Sequence, residues 1–431
     1  MTTDIDCLHV IPGSLVPHTH EPDTTFTEGL KVRADMKKNA SVNRGKPSQI
    51  VKDMLKKCPK EVGAAAGQVE ALKQVVRRVK KGSVPKNPSY KEDIPIPLPE
   101  DYAKEVIYDN ERPDRLIIFA TEAGISLIGD AEELFMDGTY SMKPPQFAQL
   151  YVIRAPLGET SVPVAYAFLP SKEQTIYEEM LEALLDACTA QGKTAAPKRV
   201  IIDFEKSMIN AVQAVLDTSV QCCFFHLSQN TYRHINSEGL STAYMKDRDV
   251  RTFCGKVDGL AFLPVQDVKA GMDILLREAP DQLRFLVEYF DSYYVNGKLK
   301  AVRNKVTNNI SFRRTPPLFP PSLWNVHEAT INDKDRTNNK CESGNNTFKH
   351  LVGTENPSLW TVIQCIETEN HMVKVDLQRT TLPKKRVRKH IREHQLKLKD
   401  LCNQYKSQEV TLPEFLNAIG KCIRLKKQKK K

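Results

Sequence analysis

The sequence predicts an α/β fold with a mixed-sheet core, a helical insertion and two basic helical flanks. Residues 199–230 read as a buried strand that ends at Asp203, a helix, and a second apolar strand that runs into His226. An apolar run bounded by charge is typical of a parallel strand that is covered on both faces. Shorter connections between earlier strand patterns indicate antiparallel pairing, so the sheet is predicted to be mixed.

Charge divides the chain more sharply than its net value of +10 suggests. Residues 29–87 and residues 383–431 each hold 16 Lys or Arg against 4 Asp or Glu, which leaves residues 88–382 with a net charge of −9. Two basic flanks favour a polyanionic partner, most simply nucleic acid. The start of the chain lacks the pattern of a signal peptide and no apolar run reaches membrane length, so we expect a soluble intracellular protein.

The basic region at 29–100 is predicted to be helical and to end in a Pro-rich linker. Residues 47–81 read as two helices that are broken at Pro59 and Gly63. The second helix has its basic residues mostly on the outer face, and these are candidate DNA contacts: Lys73, Arg77, Arg78 and Lys80. A DNA-reading helix–turn–helix and an ordinary small helical bundle fit this pattern equally well.

The core is predicted over residues 101–370, with strands at 134–140, 147–155 and 162–168. Residues 171–188 predict a helix, because Ser171 and Gln174 form a capping box and an apolar stripe that includes Tyr177 follows. That stripe is assigned to the hydrophobic core. Residues from about 235 to 315 predict an all-helical insertion, and residues 371–431 a basic tail.

Three carboxylates occupy candidate catalytic positions. Asp137 and Asp203 end strands, where α/β sheets place their chemistry, and Glu342 lies in a polar helix. Three gathered acids would repel one another unless a hard cation such as Mg²⁺ neutralised them. Taken singly, Asp137 fits a turn, Asp203 a helix cap and Glu342 a solvated side chain, so the hypothesis depends on the set of three.

Other polar residues near these acids are candidate ligands or DNA contacts. Cys223 and His226 have the spacing of half a zinc site, although a core or supporting role fits them as well. His18 and His20 form a second weak zinc pattern. The polar helix around Glu342 also presents candidate DNA contacts at Asn338, Asn339 and Asn346.

These segments together resemble the transposases of Mutator-like elements, the MULE domain, over roughly residues 130–370. The resemblance rests on LFMDGTY, SKEQTIYEEML, RVIIDFEKSMINAV, CCFFHLSQN and RTNNKCES, in the family's order and at compatible spacing. It implies an RNase H-like core with a DDE triad at Asp137, Asp203 and Glu342. It also implies two Mg²⁺ or Mn²⁺ ions, a C-x-x-H pair at Cys223 and His226, and cleavage of transposon ends followed by strand transfer to target DNA.

The two ends of the chain carry further resemblances. Residues 1–28 are similar to the end of a FLYWCH-type zinc finger whose aromatic and cysteine part is absent, which implies a remnant. Lys384, Lys385 and Arg386 lie in a run that is similar to a nuclear-import signal, and they are also candidate DNA contacts. We therefore expect the protein to be in the nucleus and to bind DNA. Transposases act as assemblies, and we expect a homo-oligomer on DNA; a domesticated DNA-binding regulator without catalytic activity is the alternative.

Overall fold

The computed structural model describes residues 23–42, 45–82, 85–303, 310–379 and 388–424. The chain divides into two compact units, Met1–Asn87 and Pro88–Lys431. Among the described helices, none is both long and apolar enough to cross a membrane.

The described part of the first unit is helical: α1 (Thr24–Val42), α2 (Pro47–Leu55), α3 (Lys60–Ala66) and α4 (Val69–Gly82). Its core is formed by apolar side chains from all these helices, among them Met36, Ile50, Ala66 and Val76. The prediction of two helices broken at Gly63 is wrong, because Gly63 lies inside α3. The chain instead turns at Gly67, whose φ of +124° favours glycine. The unit is thus a small helical bundle.

The second unit holds the sheet and the remaining helices. The elements that build the sheet and its first helical layer are α5 (Glu100–Ala103), β1 (Val106–Asp109), β2 (Ile117–Ala120), α6 (Glu122–Asp130), β3 (Glu133–Thr139), β4 (Gln149–Leu157), β5 (Thr160–Leu169), α7 (Gln174–Ala190), β6 (Arg199–Ile202), α8 (Lys206–Val215) and β7 (Ser219–Cys222). The later elements are α9 (Phe224–Ser237), α10 (Ser241–Lys246), α11 (Arg248–Gly259), α12 (Val268–Glu278), α13 (Arg284–Phe290), β8 (Leu299–Arg303), β9 (Ile310–Arg314), α14 (Pro321–Trp324), α15 (His327–Ile331), α16 (Asn339–Val352), α17 (Leu359–Leu377), α18 (Lys389–Lys406) and α19 (Leu412–Arg424).

The main sheet is mixed, which confirms the predicted class. Its strand order in the described chain is β1-β2-β5-β4-β3-β6-β7. The first five strands in this order pair antiparallel, whereas β3, β6 and β7 pair parallel. The sequence analysis did not predict β1, which is only four residues long and half-buried throughout.

Helices cover both faces of this sheet. Helices α6, α7 and α8 pack on one face, where Met136, Val200 and Ile202 join their apolar stripes in the main core. Helices α16 and α17 pack on the other face, where Cys341 of α16 contacts Phe135 and Ile201. Side chains alternate between the faces of a strand, so Asp137 and Asp203 share the α16 face with Phe135 and Ile201.

The insertion is helical only as far as Val295. Leu299–Arg303 and Ile310–Arg314 form an antiparallel two-stranded ribbon that the prediction of an all-helical insertion omits. The side chains of the second strand are exposed along its whole length, so the ribbon lacks the buried alternation by which strands are predicted.

Residues 388–424 form two packed helices where the sequence analysis predicted a basic tail. Helices α18 and α19 pack on one another and on the insertion, and α19 buries Phe415, Leu416 and Ile419. Arg424 at its end donates from Nε to the buried Asp258 at 2.6 Å. The high charge of this segment obscured an apolar stripe with helical spacing.

Candidate active site

The parallel register of β3 and β6 brings two of the candidate acids together. Each paired position in the two strands differs by 66 residues, from Glu133 opposite Arg199 to Phe135 opposite Ile201. Asp137 and Asp203 have the same offset and lie two positions beyond the last of these pairs. Asp203 follows directly after β6, and the helix beyond it has Glu205 as its N-cap, so Asp203 is not the cap.

The charges of the candidate acids act on one another. Burial raises the pKa of Asp137 to about 7, and the negative charges of Asp203 and Glu342 contribute to the rise. Burial likewise raises the pKa of Asp203, with a further contribution from Glu205. Asp137 therefore lies close enough to Asp203 and Glu342 to interact with the negative charges of both.

Helix α16 is attached to β3 through two asparagines. Asn345 Nδ2 donates to Asp137 Oδ2 at 2.8 Å, a contact that the sequence analysis missed. Asn338 Nδ2 donates to the carbonyl of Met136 at 2.8 Å and is fully buried. The prediction that Asn338 contacts DNA is therefore wrong, because its amide fastens the start of the helix that carries Glu342.

Glu342 and His226 meet on the open side of α16. The distance from His226 Nε2 to Glu342 Oε1 is 3.8 Å. Burial lowers the pKa of His226, against the opposing effect of Glu342, so the imidazole is neutral at neutral pH. Its Nδ1 is buried without a hydrogen-bond partner among the described residues.

Cys223 joins the strands to α16 and is not in a strand itself. It is the N-cap of α9, and its Sγ accepts a hydrogen bond from the backbone N–H of Asn338 at 3.1 Å. The expectation that the strand continues to Phe225 is wrong, because helix α9 begins at Phe224. Burial raises the pKa of the Cys223 thiol to about 11, and zinc binds the thiolate, so these surroundings favour the supporting role.

A second polar group lies beside Asp203 and includes a residue that was assigned only to the core. Tyr177 is buried, yet its hydroxyl donates to Glu205 Oε1 at 2.7 Å and accepts from Gln149. Lys172 Nζ lies 3.1 Å from Glu205 Oε2 and 4.6 Å from the ring centroid of Tyr140. The position of Glu205, two residues after Asp203, was the only sequence signal for this group.

The remaining predicted DNA contacts lie on several surfaces. In the first unit, Arg77 and Arg78 are exposed, whereas Lys73 pairs with Glu70 at 2.6 Å and Lys80 donates to the carbonyl of Gly45 at 2.6 Å. In α16, Asn339 and Asn346 are exposed. Other predicted site residues lie outside the described residues: His18, His20, Lys384, Lys385 and Arg386.

The donor chemistry of the acids fits a hard divalent cation. The donors available from Asp137, Asp203 and Glu342 are carboxylate oxygens, which Mg²⁺ and Mn²⁺ prefer. Burial is the main cause of the raised pKa of Asp137, and a cation would relieve the further contribution from the charges of Asp203 and Glu342. In the part of the chain that the structure describes, no three His, Cys, Asp or Glu side chains are yet close enough together to hold an ion. Metal binding would therefore require these side chains to approach one another.

Comparison with known proteins finds a family match for the segment that contains most of the candidate site. Among curated proteins the chain has no match. Residues 134–230 match the family model of the MULE transposase domain. The matched segment runs from β3 into α9 and includes Asp137, Asp203, Cys223 and His226, while Glu342 lies beyond it. The similarity of this segment supports a transposase-related function, which implies DNA binding.

Proposed function

We propose that this protein is a DDE-type DNA transposase of the Mutator-like class with an RNase H-like core. Asp137, Asp203 and Glu342 are its catalytic carboxylates, and they cleave transposon ends and join them to target DNA. The observation that carries the proposal is the common offset of Asp137 and Asp203 across two parallel strands, on the face that Glu342 approaches. The strand order β5-β4-β3-β6-β7, with antiparallel strands followed by parallel ones, supports the proposed core.

The same carboxylates would hold two Mg²⁺ or Mn²⁺ ions, which would supply charge neutralisation and activation of the attacking oxygen in phosphodiester cleavage. Asn345 orients Asp137 by donating to one of its carboxylate oxygens. Asn338 and Cys223 fix the start of α16, so they set the position of Glu342 relative to β3. The neutral imidazole of His226 is placed to hydrogen-bond with Glu342 as the side chains approach one another.

Strand cleavage tests the proposal. The substrate is a supercoiled plasmid that carries the genomic DNA from both sides of the coding region, where terminal inverted repeats would lie. The full chain is incubated with it in Mg²⁺, Mn²⁺ or EDTA, alongside Asp203→Asn and Asp186→Asn. Asp186 is an exposed carboxylate of α7, so its variant makes the same chemical change away from the site.

We expect nicked and linear products with either metal, none in EDTA, none with Asp203→Asn, and wild-type yields with Asp186→Asn. Mn²⁺ should also raise the melting temperature of the wild type and leave that of Asp203→Asn unchanged, since ligand binding to the native state stabilises it. A wild type that binds the plasmid but never cuts it would overturn the catalytic proposal in favour of a DNA-binding regulator.

A further inference from the structure

The two-stranded ribbon formed by β8 and β9 has an unusual charge distribution for this unit. Residues 296–317 contain six Lys or Arg and no Asp or Glu, although residues 88–382 have a net charge of −9. Lys300 lies directly opposite Arg313 in the antiparallel register, and both are exposed. Like charges opposite each other destabilise a strand pair, so this pair favours an anionic partner. Among the described residues, neither cation has an acidic partner.

The two faces of the ribbon differ. Lys300, Ser311 and Arg313 share one face, because side chains alternate along paired strands. The opposite face carries Leu299, Ile310 and Phe312, which are 60%, 58% and 67% exposed, together with Arg314, which pairs with Asp291 at the base of the ribbon. Lys300 and Arg313 can therefore be substituted without changing the side chains of the opposite face, and Phe312 can be substituted without changing Lys300 or Arg313.

The base of the ribbon is firmly built. Arg314 Nη1 lies 3.3 Å from Asp291 Oδ2 and donates to the carbonyl of Gly297. Thr315 donates from its backbone N–H to the carbonyl of Lys298 at 2.9 Å. Gly297 has a φ of +80°, and a Cβ there would lie 1.7 Å from the carbonyl oxygen of Thr315, so only glycine fits. The ribbon is thus held in one place at its root.

That root adjoins the candidate active site. Tyr294, just before the ribbon, and Phe319, just after it, both pack against Phe204, with ring centroids 5.7 Å and 5.1 Å away. Phe204 is the residue after Asp203. Strands of five residues span about 17 Å, which is close to the length of half a turn of duplex DNA. The ribbon is therefore long enough to follow about half a turn of a duplex, and its root packs on the residue that follows Asp203.

We propose that the face of the β8–β9 ribbon formed by Lys300, Ser311 and Arg313 binds the duplex DNA that flanks the phosphate held at Asp137 and Asp203. This inference rests on the proposed function and adds the surface that positions its substrate. Lys300 and Arg313 contact phosphates of this duplex. Because the root of the ribbon packs on Phe204, the ribbon holds the duplex in a fixed position relative to Asp203, the preceding residue. A two-stranded ribbon is narrow enough to enter the major groove.

The test is equilibrium binding of the full chain to a random-sequence duplex in EDTA, measured over a range of salt concentrations. Lys300→Ala/Arg313→Ala is compared with Lys246→Ala/Lys269→Ala, which removes two exposed cations from helices α10 and α12. Each lost phosphate contact lowers the slope of log affinity against log salt by about 0.9, so the ribbon variant should lose about two units of slope. Its affinity at moderate salt should fall at least about tenfold, and the control should match the wild type.

Phe312→Ser separates the two faces of the ribbon. It should leave the salt slope unchanged, because Phe312 faces away from Lys300 and Arg313. The inference is overturned if the Lys300/Arg313 variant keeps the wild-type slope, or if Phe312→Ser alone lowers the slope by as much. Circular dichroism melts confirm that each variant is folded.

Cleavage assays on the same proteins separate this inference from the proposed function. If the wild type never cleaves but the ribbon variant still loses two units of slope, the catalytic proposal fails and the DNA-binding surface stands. If the wild type cleaves and the ribbon variant binds and cleaves normally, the catalytic proposal stands and the ribbon does not bind DNA.

Discussion

Buried polar side chains connect the face of the sheet that carries the acids to the helices that cover it. Asn345 reaches Asp137 from α16, and Tyr166 of β5 donates its hydroxyl to Glu369 of α17. Buried polar groups cost free energy unless they are hydrogen-bonded, so each of these contacts also selects one arrangement of helix and strand. The candidate site thus depends on residues that never face its open side.

Glu369 is expected to make the stability of the protein depend on pH. Burial raises the pKa of its carboxyl group, against the lowering effects of Tyr166 and Arg154. A raised pKa means that the native state holds the proton more tightly than the unfolded chain, so stability is lost as the pH rises through the native value. We expect Glu369→Gln, which cannot ionise, to gain stability relative to the wild type as the pH rises above the ordinary range of a carboxyl group.

Urea unfolding at several pH values measures this difference. Glu355→Gln is the matched control, because Glu355 is an exposed carboxylate close by in the chain. The stability difference of Glu369→Gln is compared with that of Glu355→Gln at each pH. A constant difference for Glu369→Gln would show that this carboxyl group titrates alike in the folded and unfolded chain.

At the scale of elements, the end of the chain is joined to the insertion by a close helix crossing. Gly255 of α11 and Gly420 of α19 face each other, and a Cβ on Gly420 would lie 2.8 Å from the backbone oxygen of Thr252 and the backbone nitrogen of Lys256. Backbone atoms in a packed helix cannot yield as a flexible side chain does. The two glycines therefore set the distance between these helices.

We expect Gly420→Ala to destabilise the protein by about 1–3 kcal/mol, the usual effect of overpacking, even though alanine favours a helix. Asn417→Ala, an exposed position of α19, should change stability by less than about 0.5 kcal/mol. Chemical denaturation of both variants provides the measurement. Equal stability of the Gly420 variant and the wild type would mean that α19 can shift away from α11 without cost.

The sequence predicted most of the elements with a strong apolar pattern and missed elements without one. It also missed β2, which is buried throughout but only four residues long. Strands β3 to β6 and helix α7 follow from buried runs and an apolar stripe. The β8–β9 ribbon is exposed, and α19 has its stripe of Phe415, Leu416 and Ile419 within a strongly basic segment. The many Lys and Arg residues of 371–431 predicted a basic tail, but a few buried apolar side chains determine how α19 packs.

The candidate site was predictable where it depends on strand ends and unpredictable where it depends on contacts between distant residues. Asp203 was identified because chemistry gathers at the ends of parallel strands, and it does follow β6 directly. The prediction that Asp137 also ends a strand is wrong, because Asp137 lies inside β3 and pairs with Val152 of β4, although it is beyond the residues of β3 that pair with β6. Asn345 reaches Asp137 across 208 positions of the chain, and Asn338 reaches Met136 across 202. No local pattern distinguishes the asparagine that is buried from those that are exposed on the same polar helix.

At the scale of the whole molecule, the two compact units have separate hydrophobic cores. The core of the second unit draws on residues from Leu116 to Cys422, and the core of the first lies between Met36 and Val76. Removing residues 1–87 would lower the net charge from +10 to +3. Deleting residues 1–87 is therefore expected to leave the core of the second unit intact and to remove most of the net positive charge.

We expect residues 88–431 to fold alone and to keep their own melting transition in calorimetry, because their core is complete without the first unit. The same fragment should bind random-sequence duplex DNA more weakly than the full chain, with a shallower dependence on salt, since fewer cations contact phosphates. A fragment that aggregates or melts without cooperativity would mean that its core needs residues from the first unit.

The common offset of 66 residues between β3 and β6 also has a genetic consequence. Losing or gaining one codon within either strand would turn its acid to the opposite face of the sheet, because strand side chains alternate with a period of two. A codon gained in the loop at 191–197 would leave both acids in place. Related genes that retain the acid pair should therefore vary in length between the strands and keep each strand's own length constant.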